Sequence, residues 1–357
     1  MTVTRRLAWV WLAGLLVGCG GKSVDASDSG TTSASETTDT TGSTTPTGTA
    51  TGASTSTDTG TGGSTGTPTG TDGSWGIEDL AGVCPPDGST RVGGFQISHT
   101  PDFPTLAGNV TNGVVPSDVR TLSTTEGDCT LFQKEPLLCS PSCGAGETCD
   151  FDGTCIPYPT NQGLGTVTIV GTTEPVTMEP TGLDTYWDSL AYPLFAPDAA
   201  MVLSAAGDEV EAFTLRGLGV SEMVQGEPEW RVVEGEPLTI TWEPGTGEHE
   251  VFASMNIDQH GISPAVLECV FADTGSGTVP AELLASFVRY GVSGFATGLL
   301  RRRTADSVTT SVGCVDLVVS SDVVPEVTVD GHWPCFVDRD CPEGYTCDEP
   351  LNTCIPE

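Results

Sequence analysis

Val251-Phe-Ala-Ser-Met-Asn-Ile-Asp258 decides the fold class. Val251, Ala253, Met255 and Ile257 alternate with Ser254, Asn256 and Asp258, and a period of two places one face of an extended chain on a core and the other in water. Upstream, Leu238-Thr-Ile240-Thr-Trp242 repeats the pattern. Further strands are predicted at 166–171, 200–205, 210–215, 266–272, 294–302 and 308–319. One short helix is predicted from Pro280 to Tyr290, where a proline in the first turn precedes Ala-Glu-Leu-Leu. Many short strands separated by Gly and Pro turns imply a mainly β chain, with a β-sandwich over 163–330.

The succession Leu238 to Gly245, Met255 to Asp258 and Asp273 to Pro280 resembles the immunoglobulin or fibronectin-type sandwiches of surface-anchored Ser/Thr-rich proteins. The resemblance implies a fold and no activity. Residues 75–138 read as a separate small β-domain, with strands at 92–99, 105–110 and 114–122. Asn112-Gly113 between the last two is a hairpin signal.

The chain has 13 cysteines. Setting Cys19 aside leaves an even number, and in a secreted chain disulfides are the default reading. Cys84 and Cys129, alone in their stretch, are expected to pair, and Cys269 with Cys314 would pin two strands of the sandwich. The other eight form two matching modules, Cys139/Cys143/Cys149/Cys155 in 139–158 and Cys335/Cys341/Cys347/Cys354 in 331–357. Cys143-Gly-Ala-Gly-Glu-Thr-Cys149-Asp aligns without a gap on Cys341-Pro-Glu-Gly-Tyr-Thr-Cys347-Asp, and both modules end Thr-Cys-Ile-Pro. Modules this small have no core, so disulfides substitute for one. Four cysteines allow three connectivities, which spacing alone does not resolve. The modules resemble the short cysteine-rich repeats of extracellular proteins, including Dickkopf-type modules, which implies extracellular architecture.

At the N-terminus, Arg5-Arg6 precedes an apolar run from Leu7 to Gly18 that is too short to span a bilayer, which needs about 20 residues. With Cys19 it reads as a signal peptide over 1–18. Leu16-Val17-Gly18-Cys19 resembles the bacterial lipobox, which implies cleavage before Cys19 and lipidation of its thiol. Gly20 in place of Asp then implies the outer membrane. From Ser23 to Ser74 the sequence is Thr, Ser and Gly with scattered Asp, Glu and Pro. Such a segment buries too little apolar surface to offset chain entropy, so 19–74 is expected to be an anchored, disordered stalk. As a coil it would reach roughly 40 Å. The whole arrangement resembles uncharacterised lipoproteins of gliding soil bacteria, a likeness that supplies no reaction.

The formal charge is −35, so nucleic acid is excluded as a natural partner. No cofactor is implied. Metal ligation is not indicated either, because none of His99, His249, His260 and His332 sits near a C-x2-C pair. Asp150-Phe-Asp152-Gly153 and Asp338-Arg-Asp340 are like fragments of a calcium loop but lack its further oxygen ligands. Gly291-Val-Ser293-Gly294 lacks the second glycine of a nucleophile elbow, and His249-Glu250 lacks the second histidine of a zinc protease helix.

Candidate binding residues are His260, in a loop after the best-marked strand, and the basic island Arg301-Arg302-Arg303, which could clamp an anionic glycan or a partner's carboxylates or simply bridge neighbouring acids. Trp187, Trp230 and Trp333 are candidates for sugar stacking or for the core. The expected function is a non-catalytic surface lipoprotein that recognises an extracellular glycan or surface protein. A secreted hydrolase of glycan or peptide and an inert envelope component are the alternatives.

Overall fold

The computed structural model describes residues 75–357 except 102, 135 and 259–264. They lie within one compact unit, Thr69–Glu357. The signal peptide, lipobox, stalk and His260 are outside the described residues.

In chain order the strands begin with β1 (Arg91–Ser98), β2 (Thr105–Val110), β3 (Arg120–Glu126), β4 (Cys129–Lys134), β5 (Glu147–Cys149) and β6 (Cys155–Pro157). The next are β7 (Val167–Val170), β8 (Val176–Met178), β9 (Thr185–Ser189), β10 (Ala200–Ala205), β11 (Phe213–Leu218), β12 (Glu229–Val232) and β13 (Leu238–Thr241). There follow β14 (Glu250–Asn256), β15 (Ala265–Ala272), β16 (Ser276–Val279), helix α1 (Ala281–Val288), β17 (Thr297–Thr309), β18 (Cys314–Val323), β19 (Glu326–Val329), β20 (Tyr345–Asp348) and β21 (Thr353–Pro356).

An 11-stranded sheet runs β3-β4-β15-β14-β17-β18-β1-β2-β9, with β19 joined to β17 and β12 to β19. Its inner face is covered by two separate layers. Over β18, β1, β2 and β9 lies the four-stranded sheet β11-β10-β7-β8, and Phe95, Ile97, Leu106, Ile169, Leu203 and Leu317 fill the space between. Over β4, β15, β14 and β17 lie the pair β13–β16 and helix α1, which with the sheet's own branch β19–β12 close on Trp230, Trp242, Met255, Leu267, Phe271 and Phe287. The fold is a mainly β sandwich with disulfide-rich modules.

The alternation that set the fold class is realised in β14, where Val251, Ala253 and Met255 are buried and Glu250, Phe252 and Ser254 face the other way. The helix forms where expected, with Pro280 as its N-cap. Eight residues are too few to hold a helix alone, so burial of Leu283, Leu284 and Phe287 stabilises it.

Four expectations are corrected. Residues 75–138 are not a separate domain: β1 pairs with β18 and β4 with β15, so these strands complete the main sheet. Asn112-Gly113 closes no hairpin. Instead Asn112 Oδ1 accepts from the Thr160 amide and the Asn112 amide donates to the Thr160 carbonyl, holding the chain that leaves the first cysteine module. The strand expected over 114–122 starts only at Arg120, because Pro116–Asp118 form a 3-10 turn. Cysteine pairing outside the modules is also crossed: the bonds are Cys84–Cys314 and Cys129–Cys269.

Both modules pair their cysteines first to third and second to fourth: Cys139–Cys149 and Cys143–Cys155, Cys335–Cys347 and Cys341–Cys354. Each centres on a two-stranded hairpin, β5–β6 or β20–β21. The second module docks on the body through His332 Nε2, 2.8 Å from the Gly294 carbonyl, and through Phe336 stacked on Phe295.

Candidate functional site

The main sheet's outer face carries a groove of about 940 Å³. Its floor comes from the residues of β14, β15, β17 and β18 that alternate with the core set, including Phe252, Val266, Val270 and Val318. One wall is the segment from Gly82 to Gly88, pinned to β18 by Cys84–Cys314, and the other runs from Gly113 to Arg120. The described residues contain ten Lys and Arg, and five of them line this groove: Arg91, Arg120, Lys134, Arg301 and Arg303. Glu250, Glu268, Asp316 and Asp118 lie among them.

These charges are ordered by strand register. Arg303 stands opposite Glu250 across β17–β14 and bonds it through Nε, while Arg301 stands opposite Asp322 across β17–β18 and grips it with Nε at 2.8 Å and Nη2 at 2.7 Å. Arg91 takes Asp316 with Nε and Nη2, both at 3.0 Å. Arg120 bonds Glu268 and the Pro86 carbonyl, tying the wall to the floor. Gly94 makes room for the Asp316 carboxylate, because a Cβ there would lie 2.2 Å from its Oδ1.

The bonding leaves donors over. A guanidinium has five N–H groups. Among the described residues, Arg91 Nη1, Arg301 Nη1 and both Nη groups of Arg303 have no hydrogen-bond partner. The Arg303 side chain lines the groove, is only 9% exposed and stacks 4.4 Å over the Phe252 ring.

The basic island is therefore split by the sheet. Arg301 and Arg303 reach the groove, whereas Arg302 points inward and is buried against Asp273. His260 lies outside the described residues. Trp230 is buried in the core, and Trp187 on edge strand β9 and Trp333 beside Tyr345 are exposed on different elements.

The calcium-like carboxylates hold their own turns. Asp152 Oδ1 accepts from the Thr154 hydroxyl and amide, and Asp338 Oδ1 from the Thr346 hydroxyl and the Cys347 amide. These bonds, the hydroxyl first, hold both carboxyls below their ordinary pKa. The clustered cysteines Cys139, Cys143 and Cys149, and Cys335, Cys341 and Cys354, are consumed in disulfides.

The buried histidines serve the fold. His99 Nδ1 accepts from the Leu194 amide at 3.3 Å, with its ring between Tyr192 and Phe195. His249 Nε2 lies 3.5 Å from Asp198, and its Nδ1 is buried without a partner. No Ser or Thr hydroxyl bonds a histidine ring among the described residues, and the Ser293 hydroxyl bonds the buried Asp258 carboxylate.

Burial lowers the pKa of both rings, against the opposing carboxylates of Glu222 at His99 and Asp198 at His249. A histidine depressed in the fold contributes stability that is fully present above its unfolded pKa near 6.5 and is lost as pH falls below it. The urea midpoint of the wild type is thus expected to fall between pH 7 and 5.5, and to fall less in His249→Gln. An unchanged pH dependence in that variant would mean that His249 does not titrate on unfolding.

No family model and no curated protein matches the chain. Among solved structures it is similar to a bacterial ice-binding adhesin, at 11% identity over 68% of this chain and 66% of that one, with a TM-score of 0.19. It is also similar to the FN1-FN3 domains of chicken CNTN1, at 9% identity over 58% and 66% of the respective chains, with a TM-score of 0.16. An S-layer protein is matched at 11% identity over 65% of this chain and 33% of that one, with a TM-score of 0.12. The chain thus spans just under two thirds of the first two and one third of the last. At these scores the likeness identifies no relative.

Proposed function

We propose that the protein is a non-catalytic surface lipoprotein, anchored through Cys19 on a Thr/Ser/Gly stalk, whose folded unit binds extracellular material in the outer-face groove. The observation that carries this reading is the gathering of half the cations of the described residues in one groove, on a chain of formal charge −35. Each of the five is paired with a carboxylate, and the guanidinium N–H groups that Arg91, Arg301 and Arg303 leave over are what a ligand would meet. Six disulfides support an oxidising, extracytoplasmic setting. Among the described residues no helix is long and apolar enough to cross a membrane.

The test uses the detergent-solubilised full-length protein to capture material from envelope and extracellular polysaccharide fractions. Arg91→Glu with Lys134→Glu reverses two exposed groove charges, and capture is expected to drop sharply. Equal capture by this variant, or hydrolysis of generic esters or peptides by a protein that retains nothing, refutes the groove as a binding site. Separately, Cys19→Ser is expected to move the protein from the membrane to the soluble fraction, and persistence in the membrane would refute the anchor.

A further inference from the structure

Resting on the reading of the groove as a binding site, the geometry points to its ligand class: we infer that it takes a carboxylated polysaccharide. The free guanidinium donors are spread out. Arg301 and Arg303 are two residues apart on one face of β17, roughly 7 Å along the strand. Arg303 faces Ser320 on β18, and Arg91 is bonded to Asp316, four residues further along the same strand, roughly 13 Å away. One small anion cannot touch all three. A chain carrying repeated carboxylates can, and a guanidinium edge suits a carboxylate by shape as well as charge.

The rest of the lining narrows the class. Glu250 and Glu268 stand beside the arginines and accept hydrogen bonds, which suits sugar hydroxyls. Val266 and Val270 add apolar surface to the floor beside the Phe252 ring, which Arg303 covers. An acidic peptide would meet the same arginines, but without the strand addition that extended peptides use at a sheet edge. This groove lies on a sheet face, where β14, β15 and β17 are already flanked by partners on both sides. Its volume, about 940 Å³, suits an oligomeric stretch of the polymer.

Isothermal titration of the detergent-solubilised full-length protein against polygalacturonate, fully methyl-esterified polygalacturonate and dextran tests the inference. Polygalacturonate is expected to bind, with affinity falling as salt rises, and the ester and dextran to bind at least tenfold more weakly. Arg303→Gln and Arg91→Gln are each expected to weaken polygalacturonate binding about tenfold, as loss of one charge-assisted bond implies. Arg91 pairs with Asp316, whose side chain is only 3% exposed, so both variants are expected to unfold at lower urea, and binding is compared under conditions where each is still folded. Equal binding of the ester with sensitivity to Arg303→Gln would overturn the carboxylate while leaving the groove as the site. Polygalacturonate binding that ignores both variants would overturn both readings.

Discussion

Arg302→Leu is expected to lower the unfolding free energy by about 3–5 kcal/mol, the cost of leaving a buried charge without its partner. Arg302 and Asp273 are 1% and 3% exposed, with Nε 2.6 Å from Oδ2. The other guanidinium donors reach the carbonyls of Ser221, Glu222 and Glu243, so leucine strands a carboxylate and three acceptors together. Asp273 also accepts from Trp242 Nε1 at 2.7 Å and the Gly245 amide at 3.1 Å. Three loops and strand β17 therefore converge on one ion pair.

The pair sits at the seam between the two covering layers. On the inner face of β17, Leu300 belongs to one apolar cluster, while Val319, which faces the next inner residue Thr304, belongs to the other. Arg302 fills the gap between them with hydrogen bonds where neither cluster reaches. The Arg302→Leu, Asp273→Asn double variant is expected to recover part of the loss, since it removes the orphaned charge but not the orphaned carbonyls. Urea unfolding of the four members of the cycle measures the coupling. A single-variant loss below about 1 kcal/mol would show that water reaches the pair and that the two layers hold together without it.

How much of this was legible depends on the range of the interaction. Val251 to Ile257 could be read because strand periodicity is local, and the same period put Arg301 and Arg303 on one face and Arg302 on the other. Which acid each would meet was not legible: Glu250 and Asp322 enter through the register of β14 and β18. Asn112-Gly113 misled because its turn chemistry was spent on Thr160, 48 residues away. The gapless match of Cys143–Asp150 on Cys341–Asp348 announced the kinship of the two cysteine modules, but not that hairpin neighbours Cys149 and Cys155 would each bond another cysteine. The groove was hidden most completely. Its walls and floor come from segments scattered between residues 82 and 318, none of which has a distinctive composition.

The crossed pairing of Cys84 leads to the second large effect. Cys84 and Cys314 are separated by 230 residues, and removing a link that closes so long a loop is expected to cost about 4–5 kcal/mol on the chain-entropy account. Cys84→Ser with Cys314→Ser avoids a stray thiol and is expected to lower the urea midpoint accordingly. It should also weaken ligand capture, because few bonds hold the wall from Gly82 to Gly88. Gly82 donates to the Ala305 carbonyl at 3.2 Å, the Arg120 amide donates to the Asp87 carbonyl at 2.7 Å, and the Arg120 side chain reaches Pro86. Without the disulfide these contacts alone must keep the wall over β18. Cys129→Ser with Cys269→Ser serves as the comparison. It removes a link between β4 and β15, which are neighbours with a backbone ladder of their own, and is expected to cost stability while leaving capture intact. Peptide mapping without reduction settles the premise: a Cys84–Cys129 peptide would overturn it, and with it the claim that the groove wall is fastened to the centre of the sheet.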